Sequence, residues 1–241
     1  MKIIVAKNYD ELSFHAGEII KNQIIEKPDS VLGLATGSSP VGTYKHLVAE
    51  FNAGKVSFAK AKSANLDEYV GIAKDHDQSY YYFMQDNLFS HVDIDVANTN
   101  IPNGLASDPD AECARYDGVI EALGGVDLQL LGIGGNGHIG FNEPAECFSK
   151  GTNKIALHDS TIEANARFFA SKADVPTHAY SMGIGTIMKA KKILLVASGK
   201  DKAKAIAGLV KGDIRPDMPA SILQYHPDVT VVCDEEAGAL L

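Results

Sequence analysis

The chain has 241 residues, 45% of them hydrophobic and 22% charged, with a formal net charge of −9. That length and apolar content suit one large α/β domain, and the acidic balance argues against a nucleic-acid footprint, which needs clustered Lys and Arg. The three cysteines, Cys113, Cys147 and Cys233, are scattered without a C-x-x-C spacing, which indicates neither a disulfide framework nor a zinc knuckle and fits a reducing cytoplasm.

The first segment, MKIIVAKNYDEL, holds an apolar run of only four residues, too short for a signal peptide or a membrane span, and no later stretch reaches membrane length. Short β-branched runs then alternate with amphipathic segments, the pattern of βα units around a mostly parallel sheet. In chain order the spacing predicts strands over Ile3–Val5, Val31–Ala35, Ser63–Leu66, Leu128–Ile133, Ile193–Ala197 and Val229–Cys233. Between them it predicts helices over Tyr9–Gln23, Val41–Phe51, Ser79–Leu88, Asp110–Leu123, Ser160–Arg167 and Lys202–Lys211. No repeat, charge block or linker divides the chain, so a single domain over residues 1–241 is expected, with its longest irregular region from Gly134 to Leu157.

After the second strand, VLGLATGSSPVGTYKHL passes through a Gly-Ser turn and Pro40 into a helix. Free N–H groups and the dipole at a helix N-terminus attract phosphate, and Ser38, Ser39 and Thr43 add hydroxyl donors, so the turn reads either as a phosphate seat or as a serine-capped βα turn. It is no nucleotide P-loop, because G-x-x-x-x-G-K-[ST] does not occur there. Arg167 and Lys202 follow later strands, where either could complete a dianion pocket or stand as a solvated surface charge.

The third strand ends in ANLDEYVGI. Asp67 and Glu68 lie at the same sheet edge, where a carboxylate could serve as a general base if burial raises its proton affinity; a helix cap or turn residue is the structural alternative.

LLGIGGNGHIGFNEP offers two motifs in one place. Gly132, Gly134 and Gly137 fit G-x-G-x-x-G, and Asp159 lies at a tolerable distance to bind ribose, but a dinucleotide fingerprint needs a helix directly after the turn. Gly140, Pro144 and Gly151 interrupt the region, and Asn142-Glu143-Pro144 reads as a turn, because the residue before proline is pushed out of helical geometry. What remains is a loop carrying His138, an imidazole able to take and return a proton, with Glu143 to fix its tautomer and Asn136 to orient it. No G-x-S-x-G elbow favours a serine nucleophile, and the other histidines lack ligand spacing for a metal.

Together LGLATGSSPVGTYKHL, ANLDEYVGI, LLGIGGNGHIGFNEP, STIEANARFF and SMGIGTIMKAKKILLVASGKDKA resemble the glucosamine-6-phosphate deaminase family, in motif order and over nearly the whole chain. The resemblance implies a three-layer α/β/α sandwich with a modified Rossmann-like, mostly parallel sheet. It implies a cytoplasmic enzyme with a sugar-phosphate substrate, no cofactor and no metal, converting D-glucosamine 6-phosphate to D-fructose 6-phosphate and ammonia. Carried over by position, His138 with Glu143 and Asn136 would open the sugar ring and Asp67 would take the proton at C2. The phosphate would sit on Gly37, Ser38 and Ser39, with Thr43, Arg167 and Lys202 around it.

Two departures qualify the resemblance. Some family members have aspartate where this chain has Asn136, so here that residue orients without carrying charge. Allosteric hexameric members have basic residues near the positions of Asn153 and Ile155 and a longer tail after Cys233, so a non-allosteric monomer or small homo-oligomer is expected.

Overall fold

The computed structural model describes residues 1–169 and 171–241. In chain order the elements are β1 (Lys2–Ala6), α1 (Tyr9–Glu26), β2 (Val31–Leu34), α2 (Val41–Asn52), β3 (Lys62–Asn65), β4 (Asp67–Tyr69), α3 (Tyr80–Asn87), β5 (Thr99–Asn100) and α4 (Pro109–Ala122). There follow β6 (Leu128–Leu131), β7 (Asn153–Ala156), α5 (Asp159–Asn165), β8 (His178–Ser181), α6 (Ile184–Ile187), β9 (Lys192–Ala197), α7 (Ala203–Lys211) and β10 (Val229–Asp234). Local chemistry sets the helix starts: the side chains of Asn8, Ser79 and Asp108 accept backbone N–H groups from the first turns of α1, α3 and α4.

Seven strands form one sheet in the order β1-β10-β9-β6-β2-β3-β5, and every neighbouring pair in it is parallel. Such sheets are covered on both faces, which is why β2 (VLGL) and β6 (LQLL) are buried at every position. From β2 the chain steps through β3 to β5, then returns to build β6, β9 and β10 on the other side. Right-handed crossovers on a path that reverses in this way place the helices of the two halves on opposite faces, giving three layers. At the amino end of the strands, Asp127 accepts the Val31 amide at 2.8 Å and pairs with Lys27 and Lys191 at 2.6 and 2.8 Å, tying β2 to β6.

All six expected strands lie in this sheet, with ends within two residues of the expected ones. The expectation of an irregular region from Gly134 to Leu157 is corrected near its end: β7 forms there and joins β4 and β8 in a three-stranded antiparallel sheet. These strands are only three or four residues long, too short to show a period-2 pattern. Among the described residues, no helix is long and apolar enough to cross a membrane.

Candidate active site

A cavity of about 500 Å³ opens at the carboxyl ends of β2, β3, β6 and β9. It lies where the strand order reverses between β2 and β6, the place at which open α/β sheets bind ligands. The turn after β2 contributes Gly37, Ser38 and Ser39; Asp67 follows β3; Asn136 and His138 come from the loop after β6; Lys202 follows β9; and Arg167 follows α5.

The glycine-serine turn is braced from below by Tyr9 at the start of α1. Its hydroxyl is shared between the carbonyls of Ser38 and Ser39, at 3.0 and 3.1 Å, and accepts the Gly42 amide at 2.8 Å. One N–H at the start of α2 is thereby engaged, so the turn offers an anion its own amides and hydroxyls more than the helix terminus. Thr43 stands apart from the set expected around the phosphate: it is fully buried on the first turn of α2 and does not line the cavity.

Asp67 opens β4, paired with Ser181 of β8, and is almost fully buried. Burial, then the neighbouring charge of Glu68, push its carboxyl up to about 8. A carboxyl with that proton affinity holds a proton far better than an exposed one, as a base working near neutrality requires.

No helix follows β6. The loop closes on itself through hydrogen bonds from the Gly134 amide to the His138 carbonyl and from the Gly137 amide to the Gly134 carbonyl, both 2.9 Å. The His138 ring lies so close over Gly134 that a Cβ there would meet it at 2.2 Å, so any side chain at that position would displace the ring. Gly140, with φ of +57°, turns the loop toward β4: a Cβ on it would stand 3.7 Å from Asp67 Oδ2. Gly134, one of the glycines that fit a pyrophosphate turn, and Gly140, which breaks that pattern, together bring an imidazole and a carboxyl to one cavity.

Glu143 lies behind His138. Its Oε2 is 3.3 Å from His138 Nδ1, an ion-pair distance at which the ring is not aligned for a hydrogen bond. Asn136 Nδ2 donates to Oε2 at 2.7 Å, Thr161 donates to Oε1, and the His138 amide donates to Asn136 Oδ1 at 3.2 Å. Burial works to raise the Glu143 carboxyl, but His138, Thr161 and Asn136 outweigh it and bring it down to about 2. Two carboxyls in one site are thus driven in opposite directions, the arrangement that separates acid and base roles.

Sequence reasoning missed three groups. Tyr80 lines the cavity and stacks on Phe141, ring centres 6.1 Å apart and 8° from parallel, and Thr161 supplies the hydroxyl on Glu143. Phe141 and Thr161 lie inside the motifs already singled out, whereas Tyr80 had only its place in a tyrosine run. Among the described residues, one group of side chains has metal-ligand spacing, Glu18, His46 and Glu50. It sits between α1 and α2, away from the cavity, with the Lys21 ammonium bonded to both carboxylates.

A buried carboxyl, an imidazole with a carboxylate behind it and a glycine-serine turn, gathered at the strand-order reversal of an open parallel sheet, define the general class, an α/β fold with a cavity at its switch point. More narrowly, the chain belongs to the family of glucosamine-6-phosphate isomerases/6-phosphogluconolactonase, whose model matches residues 9–232. It is 55% identical over 241 residues to a glucosamine-6-phosphate deaminase of Clostridium novyi, covering 100% of both chains. It is 53% identical to that of Thermoanaerobacter pseudethanolicus, covering 100% of this chain and 95% of the relative. A solved monomeric glucosamine-6-phosphate deaminase superposes with a TM-score of 0.98 at 48% identity, covering 100% of each chain. The 6-phosphogluconolactonase of Trypanosoma cruzi, at 21% identity and a TM-score of 0.79 over 100% of this chain and 96% of its own, shares the fold.

Proposed function

We propose that the protein is a glucosamine-6-phosphate deaminase, converting D-glucosamine 6-phosphate and water to D-fructose 6-phosphate and ammonia. The observation that carries this reading is a buried carboxyl with raised proton affinity, Asp67, opening on the same cavity as an imidazole backed by an ionised carboxylate, His138 with Glu143. Family membership and deaminase relatives that match from end to end support it.

In the proposed sequence the dianion rests on the turn Gly37–Ser39, with Arg167 and Lys202 beside it. His138 takes the proton of the anomeric hydroxyl and returns it to the ring oxygen, which opens the pyranose to an aldehyde. Glu143 stabilises the imidazolium that forms between the two transfers, and Asn136 holds Glu143 in place. Asp67 then removes the proton at C2; the C–H electron pair forms the C1–C2 double bond and the carbonyl oxygen takes a proton from water to give the enol. Asp67 returns its proton to C1, the C2 iminium that results gives a proton back to water, water adds at C2, and ammonia leaves as the ketone forms. Ring opening and enolisation thus use different groups, each able to contribute about 10²–10⁴-fold.

Incubation with glucosamine 6-phosphate, with ammonia and fructose 6-phosphate measured separately, tests the proposal. Equimolar appearance of both is expected. Neither product, or turnover of a phosphogluconolactone instead, refutes it.

A further inference from the structure

Next to Asp67 stands a second buried carboxyl that the mechanism above does not use. Glu68 is 2% exposed. Its Oε1 accepts the amides of Tyr69 and Tyr80, both at 2.9 Å, and its Oε2 accepts that of Tyr81 at 3.0 Å. Tyr80 and Tyr81 are the first two residues of α3, whose amides lack partners within the helix, and Ser79 takes the next one, from Tyr82, at 3.0 Å. A strand residue thirteen positions upstream of Tyr81 thus caps this helix, together with the ordinary N-cap.

Three amide donors on two oxygens require a carboxylate. A glutamine would offer one oxygen and turn an NH₂ toward a third donor. By strand alternation Glu68 projects to the face of β4 opposite Asp67, so it caps α3 without entering the cavity, while Tyr80 at the head of α3 lines it.

We propose that Glu68 is a positioning residue for Asp67: it fastens the head of α3, with Tyr80 on it, to β4, and keeps a negative charge one residue from the base. This rests on the reading of Asp67 as the base at C2.

The charges around the pair support that division of labour. Burial pushes Glu68 up to about 7, while its bonds from Tyr80, Tyr81 and Tyr69 and the charge of Lys74 draw it back. Among the described residues, no hydrogen bond reaches the Asp67 carboxylate, so the pair's first negative charge falls on Glu68 and the second, on Asp67, is the costlier. Tyr44 of α2, Tyr69 of β4, Tyr80 of α3 and Tyr116 of α4 also lie around Asp67, and His138 shares its cavity. Burial raises all four phenols, and His138 is the same in every variant compared, so a difference between variants reports on Glu68.

The test is the pH profile of kcat/KM for wild type, Glu68→Gln and Glu68→Asp, with melting temperatures alongside. Glu68→Gln is expected to move the acid limb down by about one pH unit and to lower the plateau at least about tenfold, because Asp67 becomes a weaker base and the head of α3 is no longer fastened beside it. Glu68→Asp keeps the charge but is one methylene short, so it is expected to hold the wild-type limb while losing stability; it carries the comparison if the glutamine variant folds poorly. A limb in Glu68→Gln that coincides with wild type, or one in Glu68→Asp displaced downward by a full unit, overturns the proposal and leaves the deaminase reading standing. Wild-type protein that releases no ammonia overturns the deaminase reading, and this proposal with it.

Discussion

At Asp67 the same burial that suits a carboxyl to proton abstraction works against the folded state once it ionises. With the carboxyl pushed up to about 8, kcat/KM is expected to fall about tenfold per pH unit below that value, as the protonated base drops out. The stability consequence follows from linkage: a carboxyl whose folded proton affinity is raised stabilises fully below the ordinary carboxyl range, and this contribution is lost as pH rises through about 8. Asp67→Asn is therefore expected to raise the melting temperature more at about pH 9 than at about pH 5. An equal effect at both would show that the carboxyl ionises freely. Glu143, held down to about 2, has the opposite sign: its contribution is present above the ordinary carboxyl range and lost as pH falls toward 2. Neither value was legible in the sequence, because both depend on groups from distant segments: the Thr161 hydroxyl on Glu143, and for Asp67 the tertiary burial that removes it from water.

Among the elements, six of the seven strands of the parallel sheet were readable because burial on both faces leaves continuous apolar runs such as VLGL and KILLVA, whereas the two-residue polar edge strand β5 left no such run. The missing helix after β6 was readable from Gly140 and Pro144. The small antiparallel sheet was not, since DEY, NKIA and HAYS are stabilised by their pairing across β8 rather than by any local pattern. Yet this sheet carries Asp67, so the motif was legible while its support was not. The turn and loop elements make their own predictions. Gly134→Ala places a methyl 2.2 Å from the His138 ring, and an activity loss of about 10²-fold or more with an unchanged circular dichroism spectrum is expected. Arg167→Ala or Lys202→Ala is expected to raise KM about tenfold or more with kcat within a few-fold, measured by steady-state kinetics. Thr43→Val, in contrast, is expected to leave KM near wild type, because Thr43 does not line the cavity.

Over the whole molecule, the strand-order reversal gathers residues from positions 35 to 202 into one cavity. That long-range convergence is what a sequence motif alone does not display, and resemblance bridged it. The start of β7 is held by Asp117, which accepts the Thr152 amide and hydroxyl; a carboxylate there disfavours an anionic effector. Rate curves are accordingly expected to be hyperbolic and unchanged by N-acetylglucosamine 6-phosphate, and marked activation would contradict this. The most direct measurement compares wild type with Asp67→Asn for ammonia and fructose 6-phosphate formed from glucosamine 6-phosphate, alongside calorimetric binding. The account predicts equimolar products from wild type and none from Asp67→Asn, which still binds the sugar phosphate within a few-fold. Near wild-type turnover by Asp67→Asn would contradict it.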